Sequence, residues 1–142
     1  MNRDKRIVIV PCSGIGKSLG TVSREAAYEL CDNLRPGDTQ LVALSKLVLG
    51  DEQARERVRT SPAVTIDGCK QMCAAKLVKH SGGTVFRAVA VFEAFRDHKD
   101  LKPEGIAELN PEGKQLARVL AEEIAEQLDQ LHFAAEEGGQ HA

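Results

Sequence analysis

Apolar positions fall into short runs separated by turn chemistry. Arg6-Ile7-Val8-Ile9-Val10 is a β-branched run that stops at Pro11 and Gly14. A continuous apolar run, rather than an alternating one, is how a strand buried on both faces reads. Thr21 to Leu30 follows with good helix formers, and Ala26, Ala27, Leu30 and Leu34 share one stripe. Arg35-Pro36-Gly37-Asp38 is a turn, and Leu41-Val42-Ala43-Leu44 reads as a second strand. Asp51 to Arg59 is a short charged helix that Ser61-Pro62 ends. Ala63-Val64-Thr65-Ile66 is a third strand, broken at Asp67-Gly68. Cys69 to His80 is helical in pattern, with Ser81-Gly82-Gly83 as its stop. Val85 to Phe92 reads as a fourth strand, and a polar linker spans Lys99 to Pro103. Pro111 then opens a long helix with Leu116, Leu120, Ile124, Leu128 and Leu131 on one side, a stripe suited to packing on a sheet.

Strands and helices alternate at least three times with short connections, the pattern of a parallel sheet with helices on both faces. The expected fold is a small three-layer α/β architecture, Rossmann-like or flavodoxin-like. It has about four parallel strands in the order 2-1-3-4 and a long C-terminal helix. Residues 1–135 are expected to form a single domain and 136–142 a disordered tail. No internal repeat or low-complexity segment is visible.

Composition narrows the function classes. The 142 residues carry a formal net charge of −2, so no positive field recruits nucleic acid or anionic lipid. One Tyr, four Phe and no Trp argue against base-stacking platforms. The apolar run Ile7 to Val10 is too short for a signal peptide or a spanning helix, so no membrane association and a cytoplasmic location are expected. In that reducing compartment four cysteines point to metal binding or redox chemistry rather than to structural disulfides.

Cys12 directly follows the first strand and Cys69 the third. In an open parallel sheet, loops at the carboxyl ends of the strands line the binding crevice where the strand order reverses. Neighbouring first and third strands bring Cys12 and Cys69 to that edge. Cys73, four residues on, lies one turn along the same predicted helix face. A helix N-terminus favours thiolates, and three thiolates select zinc first, with an iron–sulfur cluster or copper(I) as alternatives. A fourth position would go to water, a substrate, or an oxygen of Ser13 or Asp67. Cys31, near the far end of the first helix, falls roughly 20 Å from Cys12 and reads as a buried core thiol. His80 is removed in the same way, and His98, His132 and His141 read as surface residues.

Gly14-Ile15-Gly16-Lys17-Ser18 resembles part of a phosphate-binding loop, but Pro11 stands where the full pattern needs glycine. A weaker version places an anion, or an anionic small molecule, on Ser13, Gly14, Gly16 and Lys17 beside the thiols. A cysteine-phosphatase loop fails because Ser18 occupies the arginine position. The alternative function is a thiol, sulfur-transfer or redox enzyme with Cys12 or Cys69 as nucleophile and Lys17 as its cationic neighbour. A Cys69–Cys73 disulfide ranks lower, because cysteines one helical turn apart aim their Cβ vectors poorly. The long amphipathic helix leaves room for a homodimer.

Asp67-Gly68-Cys69 followed by Cys73, together with Val10-Pro11-Cys12-Ser13-Gly14, resembles the DGC-domain family, named for its Asp-Gly-Cys triplet. Cys69-Lys70-Gln71-Met72-Cys73-Ala74 is similar to its cysteine-x3-cysteine-alanine segment, and the resemblance spans roughly residues 6 to 90. It implies a small α/β protein with a cysteine-bound zinc and a loosely defined biochemical role. Members of the family often carry a further cysteine after the second strand, where this chain has Ala43-Leu44-Ser45. That departure agrees with three thiols rather than four.

Overall fold

A computed structural model describes residues 6–12, 17–68 and 70–140, with side chains through residue 130. The strands are β1 (Ile7–Pro11), β2 (Thr39–Leu41), β3 (Ala63–Asp67) and β4 (Val85–Ala90). They form one sheet in the order β2-β1-β3-β4, and every pairing is parallel. The expected order holds, and the strand order reverses between β1 and β3.

The helices are α1 (Ser18–Tyr28), α2 (Leu44–Leu49), α3 (Glu52–Thr60), α4 (Cys73–His80), α5 (Val91–Asp97) and α6 (Pro111–Gln140). They cover both faces, because side chains alternate along each strand. Ile7, Ile9, Val64 and Ile66 pack under α1, α5 and α6. Val8, Val10 and Ala63 pack under α2, α3 and α4. All five residues of β1 are buried, which accounts for its unbroken apolar run. On α6, Leu116, Leu120, Ile124 and Leu128 join the first cluster, so the stripe packs on the sheet as its spacing predicts. The α6 backbone continues past Glu136, where the sequence suggests a disordered tail; Leu131 lies outside the described side chains.

Four local readings are corrected. The second strand is only Thr39–Leu41, and Leu44 opens α2, which ends at Gly50 in the left-handed region (φ 77°). The fourth strand stops at Ala90, and Val91 and Phe92 belong to α5. Helix α1 starts three residues earlier than predicted and runs into a π-helical segment, Glu29–Leu34, closed by the Arg35 amide on the Leu30 carbonyl at 2.8 Å. Helix α4 begins at Cys73 and not at Cys69, after a turn in which Met72 takes φ 53°. The helix face expected to carry Cys69 and Cys73 thus begins only at Cys73, and Cys69 lies outside the described residues. No described helix is long and apolar enough to cross a membrane.

Candidate functional site

The carboxyl edge of β1 and β3 is where the chemistry gathers. The Cys12 amide donates to the Ile66 carbonyl at 2.8 Å, which carries the β1–β3 ladder one step past the strand. The Cys12 side chain is buried, with Sγ 3.2 Å from Ser23 Oγ on α1. The Gly68 amide donates to the same sulfur at 3.2 Å. A hydroxyl has one proton, and Ser23 directs its own to the Gly20 carbonyl at 2.6 Å. The Cys12 thiol therefore donates to Ser23 Oγ while its sulfur accepts from Gly68. Ser23 and Gly68 hold the sulfur at the boundary between α1 and the loop after β3.

Asp67 ends β3 and is almost fully buried. Its two carboxylate oxygens accept the amides of Ala74 (2.8 Å) and Ala75 (3.2 Å) in the first turn of α4. Burial pushes its carboxyl up from the usual value, while those two amides and Lys76 pull the other way. With both oxygens on helix amides, Asp67 acts as the cap of α4. This cap sets where α4 starts, and it leaves Cys73 exposed as the first helical residue. The Cys73 thiol lies 4.0 Å from Gln71 Oε1.

A family model for the DGC domain matches residues 8–112. The chain belongs to the DGC-domain family. No curated protein and no solved structure matches it. The match runs from the second residue of β1 to the opening of α6, so it includes all of the sheet but Ile7 and every loop at its carboxyl edge. Two members of the DGC triplet now have structural roles. Asp67 caps α4. Gly68 lies against the first turn of α1, where an added Cβ would sit 2.8 Å from the Gly20 nitrogen and the Leu19 carbonyl carbon. Only a residue without a side chain allows that approach.

Of the predicted site residues, Cys12, Lys17 and Cys73 are described, while Ser13, Gly14, Gly16 and Cys69 lie outside the described residues. Cys69 is bonded in sequence to Gly68, whose amide touches the Cys12 sulfur. Among the described residues no group of three Cys, His, Asp or Glu side chains gathers as a metal site. Cys31 stands apart. It lies in the π-helical segment, half-buried against the α6-side core and near Thr39. Thr39 pairs with Ile7, so Cys31 is at the amino edge of the sheet, opposite Cys12. Burial pushes its thiol pKa up; the Thr39 side chain opposes this and Asp32 adds to it. His98 is half-buried and 3.6 Å from Glu123 on α6, away from the thiols.

The same edge opens onto a cleft of about 420 Å³. Cys12, the first turn of α1 and Gly68 form one side, and Phe92 and Phe95 of α5 form another. Lys17, Lys70 and Lys102 also line it. Cys12, Gly68 and Lys17 were singled out in the sequence; Ser23, Lys70, Lys102 and the two phenylalanines were not. Ser23 sits inside a helical pattern with nothing to mark it, and the cleft residues come from four separate segments of the chain.

Proposed function

We propose that this DGC domain binds a metal ion, zinc before an iron–sulfur cluster, through Cys12, Cys69 and Cys73. The observation that carries the reading is the Gly68 amide on the Cys12 sulfur. It ties the one buried thiol at the β1–β3 reversal to the loop that carries Cys69. The donor chemistry fits: thiolates suit zinc, and the nearest buried carboxylate is committed to capping α4. A loop that ends at the exposed Cys73 leaves a path for an ion to enter. Three protein ligands leave a fourth position for water or a small molecule, as catalytic zinc sites do and structural ones do not. A metal there would supply charge stabilisation to such a molecule. A reducing, cytoplasmic setting keeps the three thiols available.

Elemental analysis of protein purified without a metal-binding tag tests the reading. Wild type and Cys31→Ser are expected to carry about one zinc per chain, and Cys12→Ser, Cys69→Ser and Cys73→Ser to lose most of it. Metal-free protein from zinc-supplemented cultures would sink the proposal.

A second reading is favoured by one feature, the shared cleft of Cys12 and Lys17. There a thiol with a cationic neighbour would act as the nucleophile of a thiol, sulfur-transfer or redox enzyme. It predicts that iodoacetamide modifies Cys12 or Cys69 well above the rate of free cysteine. Labelling of all four cysteines at or below that rate would remove it.

A further inference from the structure

We infer that the cleft at the β1–β3 switch point binds a small amphipathic anion, with an aryl or alkyl body against Phe92, Phe95 and Leu19 and a phosphate-type head among Lys17, Lys70 and Lys102. The cleft's volume, about 420 Å³, is in the range of pockets that enclose small organic ligands. Its walls are largely apolar, and the two half-buried phenyl rings of α5 supply flat surface.

Charge decides the class of head group. The three lysines are exposed and come from distant parts of the chain, one before α1, one after β3 and one in the segment after α5. Among the described residues no acidic side chain lines the cleft, although the chain as a whole has a formal charge of −2. None of the three ammonium groups has an ion-pair or hydrogen-bond partner among the described residues. Elsewhere on the surface Arg35 pairs with Asp129 and Lys114 with Glu108. Three like charges around one opening repel each other. A multiply charged anion relieves that repulsion more than a neutral molecule or a single carboxylate does. Lysine, a compact point charge with three donors, suits phosphate. The first turn of α1 forms part of the wall and adds the favourable end of its dipole. The inference requires neither a metal nor a covalent step at Cys12.

The test is calorimetric titration of the full chain with phenyl phosphate, inorganic phosphate and phenol. Phenyl phosphate is expected to bind saturably, at least about tenfold tighter than inorganic phosphate because the ring buries apolar surface. Phenol, without the charge, is expected to bind more weakly than phenyl phosphate. Lys70→Gln and Lys102→Gln are each expected to lower the affinity up to roughly fivefold, and more when combined. Both side chains are exposed, so these variants keep the fold. Lys79→Gln, an exposed lysine in the last turn of α4 at the other edge of the sheet, is expected to change nothing. Chelator-treated protein is expected to keep its affinity, which separates this site from the metal reading. Absence of saturable binding would overturn the inference. So would equal affinity for inorganic phosphate, an equal loss in Lys79→Gln, or binding abolished by chelation.

Discussion

At Gly68 the family triplet meets a steric limit. Its absent side chain lets the loop after β3 touch the backbone of α1, and its amide touches the Cys12 sulfur. Gly68→Ala would press a methyl group against backbone atoms at 2.8 Å, which no rotamer change can relieve. It is expected to cost roughly 1–3 kcal/mol, read as a lower urea midpoint at unchanged m-value. It should also release Cys12, so that a thiol probe reaches it faster than in wild type. Unchanged stability together with unchanged Cys12 labelling would show that α1 and this loop are not in close contact. The triplet was visible in the sequence, but its division of labour was not. Asp67 looked like a possible ligand oxygen because the amides it caps belong to a helix whose start the pattern misplaced.

Among the elements, long and strongly periodic segments were readable and short ones were not. β1, β3 and α6 carry runs or stripes that are buried throughout their described side chains, so pattern and structure agree there. α2 and α5 are only six and seven residues; their first residues, Leu44 and Val91-Phe92, were read into the strands beside them and the rest was left unassigned. Their helical form is set by packing, through Leu44 and Leu47 on one face and Val91 and Ala94 on the other. For α4 the decisive group, Asp67, lies six residues before the helix begins. α6 carries the clearest energetic consequence. Ile124 is fully buried against the sheet, so Ile124→Ala is expected to destabilise the domain by about 2–5 kcal/mol in equilibrium unfolding. A loss below about 0.5 kcal/mol would indicate that α6 does not pack on this face.

For the whole molecule, the strand order and the position of the crevice followed from alternation alone, because a β1–β3 reversal places the loops after those strands side by side. That was enough to bring Cys12 next to the loop of Cys69, and to set Cys31 at the opposite edge. The cleft was not readable, since Lys17, Lys70, Lys102 and the two phenylalanines meet only in three dimensions. Cys12, three lysines and apolar walls line the cleft at this edge, which is where the proposed chemistry belongs. The central claim is the three-thiol metal site, and zinc K-edge X-ray absorption of the zinc-loaded full chain tests it most directly. The account predicts three sulfur neighbours at ~2.3 Å and one lighter nitrogen or oxygen neighbour. Four sulfur neighbours would bring Cys31 into the site against the observed fold, and a shell without sulfur would contradict the thiolate site altogether.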